Sequence, residues 1–507
     1  MLGLPGRVGE HVGLGHLKKE PSVWMHQRLK EGPMEREPVP SAIVARLLEA
    51  AKELEEWAVE HRQATLAEHE KGVLSIFRRV MGPALGAVLE RALGLDHPAA
   101  QRQRAACPEC GVRRRPHQWR KRQPVSVCGD TPFQRLYYWC APCQRGWVPA
   151  DEVLGLGPYQ ILSAELQAWV AETGAELPFA QAAEQLERLA GIRLGIETVR
   201  THTEQVGTAL AERQRAAAAM VAQTQEAAEP LDRAPELLVA EVDGVHVRFQ
   251  DGWHEAKVGE IVGCQVGNGL PETDPMARPP VLVAPSYVAS RASVGEFGPL
   301  FLAEAARRGG LEVVDWTQPA DTDPRLRLVG PAEAHLRPVV VLGDGAHWIW
   351  ELAAEHFGAQ RIEIVDYWHA TEHVWTVARA LVGEDPDAAG VWAEAWCIDL
   401  LEHGPPPWLA TLRSAEPPDS AAAEVLRVEL GYFTTNAARM NYPTFRAGGL
   451  PIGSGAVESA AKHVVQVRMK RSGMRWSDSG GAAMLALCAH LASNRALPVP
   501  DALPSAA

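Results

Sequence analysis

Apolar positions recur at helical spacing early in the chain. From Ser41 to about Glu70, Ile43-Val44, Leu47-Leu48, Ala51, Leu54 and Trp57-Ala58 share one face, which predicts an amphipathic helix suited to packing or self-association. Met1 to about Glu37 has no such period and reads as a loose arm. Between Pro124 and Trp139 the pattern turns β-rich, with Leu136-Tyr137-Tyr138-Trp139. From Ala164 it turns helical: Pro178 to Gly191 closes on a glycine and Ile192 to Thr203 follows, a helix-turn-helix pattern that would turn Thr198, Arg200, Thr201 and His202 toward DNA. Ala209 to Glu229 reads as a connecting helix or linker.

Near Pro235 the period shifts again. Strand-like runs at 237–242, 245–249, 257–266 and 280–284 precede a helix over roughly Ser293 to Arg308. Strand 338–343, a helix over about 347–357 and strand 361–365 follow. Three meandering strands, then helix–strand–helix–strand, is the order of an RNase H-like sheet, in which the first and fourth strands are neighbours. A Trp- and Ala-rich helical stretch after Asp366 reads as an insertion ahead of a final helix.

Three acids stand out against this framework. Asp243 and Asp344 are placed at the ends of apolar strands, and Glu458 opens a helix after the hinge Gly453-Ser454-Gly455. Two strand-end aspartates and a distant helical glutamate are the minimal ligand set for two Mg²⁺ (or Mn²⁺) ions that clamp the attacking and leaving oxygens of a phosphodiester displacement. A first-turn glutamate also answers the helix dipole. Lys462, one turn after Glu458, is placed either to meet a phosphate or to pair with Glu458.

Cys107-Pro108-Glu109-Cys110 and Cys140-Ala141-Pro142-Cys143 are two C-x-x-C knuckles flanking the β-rich stretch, the form of a structural Zn²⁺ ribbon. Cys128 is expected to be a bystander. The expected class is therefore α+β multidomain. Residues 1–100 form a flexible arm and amphipathic helical region, 101–150 a zinc ribbon, and 151–230 a helix-turn-helix domain with linker. The RNase H-like core follows in two parts, 235–370 and 445–495, around an α-helical insertion over 371–444.

Net charge changes the picture only locally. The chain of 507 residues is 46% hydrophobic and carries a formal charge of −13, which at face value argues against nucleic acid. Yet residues 101–150 hold ten Arg/Lys against Glu109 and Asp130, and residues 459–477 hold Lys462, Arg468, Lys470, Arg471 and Arg475 without an acid. Such patches neutralise phosphates within a Debye length of about 8–10 Å, whatever the rest of the surface carries. Arg113, Arg114, Arg115, Arg200, Arg468, Lys470, Arg471 and Arg475 are the expected DNA contacts. No uninterrupted apolar run reaches the roughly 18–20 residues of a membrane span. No phosphate loop marks a nucleotide cofactor. A cytoplasmic protein is expected.

Several blocks are more specific. Asp243-Gly244-Val245-His246, Gly343 to Trp350, Val365-Asp366-Tyr367-Trp368-His369-Ala370-Thr371-Glu372-His373, Gly453 to Lys462 and Arg468 to Trp476 appear in order. Together they resemble the ISKra-type insertion-sequence transposases of bacteria, relatives of the Mutator-like DDE enzymes. The resemblance runs from the knuckles to about Asn494. It implies Asp243, Asp344 and Glu458 as a DDE triad, with Asp366 and His369 as a supporting Asp-x-x-His signature. It also implies a nucleoid-associated enzyme that binds the duplex ends of a mobile element, as a homodimer or larger assembly, and catalyses cleavage and strand transfer. Leu487-Cys488-Ala489-His490, where the family leads one to expect an arginine, and Cys128 depart from the pattern. The competing expectations are an inactive or domesticated DNA-binding protein and an RNase H-like nuclease that cuts without joining.

Overall fold

A computed structural model of the chain describes residues 41–224, 226–227, 237–265, 267, 279–310, 339–358, 361–383, 386–453 and 460–497. The N-terminal arm lies outside these residues, as does Glu458. Helix α1 (Ala42–Glu60) starts at Ser41, whose hydroxyl accepts from the Val44 amide. The apolar period was expected to carry one helix to Glu70. Instead the chain turns, and α2 (Leu66–Ala92) begins at a reciprocal cap between Thr65 and Glu68. Such a cap contributes about 1 kcal/mol and satisfies amides that a continuous helix would not have exposed. The Trp57 ring lies over Gly72, and Gly82 and Gly86 bring the α2 backbone against the carbonyls of Asp130 and Pro132. Among the described residues α2 is the one helix long and apolar enough to cross a membrane by length and composition, and its small residues pack it onto the protein.

The cysteine-bearing region is all strand. β1 (Ala105–Ala106) pairs with β2 (Arg113–Arg114), and β4 (Val125–Ser126) pairs with β5 (Gly129–Asp130). β3 (Pro116–Arg122), β6 (Phe133–Cys140) and β7 (Arg145–Trp147) form a three-stranded antiparallel sheet. After α3 (Pro149–Val153), the helices α4 (Ala164–Glu176), α5 (Phe179–Gln185) and α6 (Ile196–Thr224) follow. The expected glycine-centred turn is present, with Gly191 in the left-handed conformation at φ 73°. The second helix does not stop at Thr203; it runs on to Thr224, into the stretch read as a connecting helix or linker, and α6 packs along the body of the protein. At Gly207 its backbone meets the carbonyl of Ala483 so closely that any side chain would collide.

The central sheet has five strands: β8 (Leu237–Phe249), β9 (Gly252–Gln265), β10 (Val281–Ser290), β11 (Val339–Gly343) and β12 (Arg361–Val365). Their order is β10-β9-β8-β11-β12, with the first three antiparallel and the last two parallel to β8. The first and fourth strands of the sheet are thus neighbours, as anticipated. The runs 237–242 and 245–249 are one strand, so Asp243 lies inside β8. Its hairpin partner β9 pairs with it from Leu237 to Phe249, well past the point where the shorter β11 ends. β11 is buried at every residue, which suits a Val-rich parallel strand covered on both faces.

Helices α7 (Val294–Arg307) and α8 (His347–Phe357) help close one face. The stretch after Asp366 is helical as expected: α9 (Tyr367–Val382), α10 (Pro386–His403), α11 (Pro405–Ser414), α12 (Ser420–Asn436) and α13 (Tyr442–Ala447). It has no core of its own. Trp408, Phe433 and Tyr442 belong to the same apolar cluster as β8, β11 and β12. The other face is covered by the helical segment Ala461–Met469 and by α14 (Asp478–Ala492), packed on Val245, Val247 and Phe249.

Candidate active site and cysteine cluster

The β8–β11 ladder ends with Leu342 opposite Glu241. Two residues further along each parallel strand, Asp344 falls level with Asp243. On the other side Gly343 is opposite Val365, which sets Asp366 beside Asp344, and the Asp366 amide donates to the Gly343 carbonyl at 2.9 Å. Asp243 within β8, Asp344 directly after β11 and Asp366 directly after β12 thus form a row at one end of three adjacent strands.

Each is anchored locally. Asp243 Oδ1 accepts from the Gly244 amide and Asp344 Oδ1 from the Ala346 amide, both at 2.7 Å. Asp366, only 2% exposed, caps α9 by accepting from the amides of Trp368 at 2.6 Å and His369 at 3.2 Å. It thus joins the end of β12 to the start of α9. His369 is half-buried one turn into that helix.

Glu458 itself lies outside the described residues, but the chain on both sides of 454–459 is placed. The Tyr367 amide donates to the Ile452 carbonyl at 2.8 Å, and Gly453 lies against the Trp368 indole, next to Asp366. On the far side, buried Ala460 packs with Val245 and Val247, just beyond Asp243 on β8. Lys462 is exposed.

The helical insertion reaches this row. The Tyr432 hydroxyl donates to the Asp344 carbonyl at 2.9 Å. His373 stacks on Tyr432 with ring centroids 3.8 Å apart, and its Nδ1 meets Glu429 Oε2 at 2.7 Å. Burial, then the charges of Asp344, Glu429 and Asp366, push the Tyr432 hydroxyl well above the usual phenol range. Sequence reading missed Tyr432 and Glu429. The one available signal was their spacing of three on α12, a single helical face. His373 stood at the end of a quoted block without a role.

A second acidic feature lies behind the row. Glu241 and Glu260 are opposite one another on β8 and β9, and Glu260 is opposite Tyr287 on β10. Burial pushes the Glu260 carboxyl up to about 7, partly offset by its hydrogen bond from Tyr287.

Among the described residues, the one group of three or more His, Cys, Asp or Glu that could hold a metal is Cys107, Cys110, Cys140 and Cys143, with ligand atoms all within 4.8 Å. Cys110 Sγ and Cys140 Sγ are 3.8 Å apart. That matches the edge of a tetrahedron built on Zn–S bonds of about 2.3 Å, which is about 3.8 Å. Each knuckle sits at a strand turn whose next residue is left-handed, Gly111 at φ 68° and Gln144 at φ 49°. The Val112 amide, then Cys143, draws the Cys110 thiol down to about 7, while hydrogen bonding to Cys110 and Cys140 pushes Cys143 up to about 12. Cys128 is outside the group, as expected. Asp243, Asp344 and Asp366 do not form such a group, their carboxylate oxygens being more widely spread, although carboxylate oxygens are the donors that suit a hard cation such as Mg²⁺.

The basic residues divide sharply. Arg113, Arg115, Lys470 and Arg475 are exposed; Arg113 also donates to the Arg104 carbonyl at 2.9 Å. Arg114 lies beside the cysteine group instead, where the Cys140 sulfur and, less, that of Cys110 raise its pKa and favour its charged form. Arg200 is closed onto Glu197 and, at 2.7 Å, Glu204, which supply the negative partners a phosphate would have supplied. Arg468 is corrected most clearly. It is 2% exposed, donates to the Gly174 carbonyl at 2.8 Å and packs on both the Phe179 and Trp476 rings, and burial draws it down to about 10. Arg471 donates to the carbonyls of Val467 and Glu176. Of the four residues expected to face DNA from α6, His202 is half-buried and burial lowers its pKa.

No protein-family model matches the chain, and no curated protein is measurably similar to it.

Proposed function

We propose that the protein is a DNA transposase that binds the ends of a mobile element and catalyses divalent-metal-dependent end cleavage and strand transfer. The observation that carries this reading is the placement of Asp243 in the first strand and of Asp344 directly after the fourth, neighbours in a sheet ordered β10-β9-β8-β11-β12. That strand order is the one expected of an RNase H-like sheet, which supports the reading.

Asp243, Asp344 and Glu458 would hold two Mg²⁺ or Mn²⁺ ions. The ions, when bound, supply an activated attacking oxygen and charge neutralisation at the scissile phosphate. The chain's part is to fix its carboxylates before DNA arrives. Backbone amides tie one oxygen of Asp243 and one of Asp344, and the Asp366 cap locks the adjoining strand end. Lys470 and Arg475, on the exposed turn after the Ala461–Met469 segment, and Arg113 and Arg115, on the ribbon, supply phosphate contacts. The four cysteines would hold structural zinc, with Arg114 offsetting thiolate charge.

The deciding experiment offers purified protein a duplex carrying the element's inverted ends, with Mg²⁺ or with Ca²⁺. Cleavage and joining in Mg²⁺ alone support the reading. Cleavage without joining would make the chain a nuclease, and binding without either would make it a DNA-binding protein only.

A further inference from the structure

We propose that Tyr432, on the helical insertion, is a positioning residue for Asp344: it fixes the turn from which that carboxylate projects. The inference rests on the reading of Asp344 as a divalent-cation ligand.

The turn after β11 is held at two points. Its carbonyl at Asp344 receives the Tyr432 hydroxyl at 2.9 Å, and the Asp344 carboxylate receives the Ala346 amide at 2.7 Å. Between them, Gly345 adopts φ 101°, and a Cβ there would come within 2.7 Å of Tyr432 Cε2. The tyrosine ring therefore lies directly on the turn backbone. The ring is itself held. His373 stacks on it with planes 19° apart, and Glu429, 6% exposed and one helical turn before Tyr432, binds His373 Nδ1. Since His373 belongs to α9, whose first turn is capped by Asp366, the clasp joins α12 to the ends of both β11 and β12. A catalytic sheet that needed the insertion only to cover its apolar face would be served by phenylalanine at 432. The hydroxyl on the Asp344 carbonyl is the part that packing does not require.

The test compares full-length wild type, Tyr432→Phe and Asp344→Asn. Mn²⁺ binding is titrated by electron paramagnetic resonance, and amide exchange over 343–348 is followed without metal. Tyr432→Phe keeps the ring, so thermal unfolding should stay close to wild type. Exchange over 343–348 should accelerate, and the half-saturating Mn²⁺ concentration should rise about 3- to 10-fold, the size of one net hydrogen bond. Half-saturating Mg²⁺ for cleavage should rise by the same factor, with the rate recovered at saturating Mg²⁺. Wild-type exchange and wild-type Mn²⁺ binding in Tyr432→Phe overturn the proposal. If Asp344→Asn binds Mn²⁺ as wild type does, the ligand reading of Asp344 has failed, and accelerated exchange in Tyr432→Phe still decides whether the hydroxyl holds the turn.

Discussion

Gly345 lies against the hydroxyl-bearing end of the Tyr432 ring, at a φ of 101° that side chains rarely adopt. Gly345→Ala should therefore cost stability twice, through the dihedral and through the ring. The total is expected at roughly 1–3 kcal/mol, read by chemical denaturation. Adding Tyr432→Ala should relieve the clash but not the dihedral. Full recovery in the double variant would show that the backbone conformation carries no cost.

The carboxylates give the second prediction. Asp243→Asn, Asp344→Asn and Glu458→Gln preserve volume, so each should abolish cleavage and strand transfer while DNA binding and thermal unfolding persist. Asp366→Asn keeps an acceptor for its helix cap and should lose activity only in part. An active variant at any of the three would remove that residue from the ligand set.

The cysteine group should bind about one Zn²⁺ per chain. Cys107→Ser or Cys140→Ser should release it, as measured by elemental analysis, and weaken DNA binding. Full metal content in both variants would exclude the four-cysteine site. Arg114→Gln should hold the metal but surrender it faster to a chelator.

Arg468 and Arg475 make a contrast that separates packing from DNA contact. Arg468→Gln removes a buried guanidinium from two aromatic faces and the Gly174 carbonyl, and should destabilise by about 2–4 kcal/mol. Arg475→Gln, at an exposed site, should leave the melting temperature unchanged while weakening DNA binding and flattening its salt dependence by about one charge. The reverse pattern would restore Arg468 as the DNA contact.

Glu260 predicts a pH effect. Its carboxyl, ordinarily near 4.5, is pushed up to about 7 in the folded chain. The folded state thus keeps a proton that the unfolded state gives up. Its contribution is fully present below about 4.5 and is lost as pH rises through 7, a difference of up to about 3 kcal/mol. Glu260→Gln should remain neutral and so should gain stability over wild type at pH 8 relative to pH 4.5. Parallel pH–stability curves for the two proteins would refute this.

Much of the sheet could be read from the chain because local pattern and topology agreed there: the Val-rich run 339–342 admits little but a buried strand, and the strand order placed Asp344 beside Asp243. The cysteine group was legible for a similar reason, since paired knuckles encode geometry at short range. What escaped were features decided by tertiary contact. Nothing local distinguishes Arg468, buried against two rings, from exposed Arg475 seven residues later. Likewise, Asp243 looked like the end of a strand because Gly244 follows it, whereas pairing with β9 carries the strand onward. Tyr432 meets Asp344 from 88 positions further along the chain, and only folding brings them together.

The uninterrupted course of β8 has a mechanical consequence. The strand that carries Asp243 continues to Phe249, and there Arg248 and Gln250 exchange backbone hydrogen bonds with Trp476, next to Arg475. Force applied to that exposed turn is therefore transmitted along a single paired ribbon to the aspartate. The ribbon cannot slip by one residue without turning every β8 side chain to the opposite face. The basic turn and the acidic row must tilt together as one lever, so DNA gripped at Arg475 would meet Asp243 at a fixed offset.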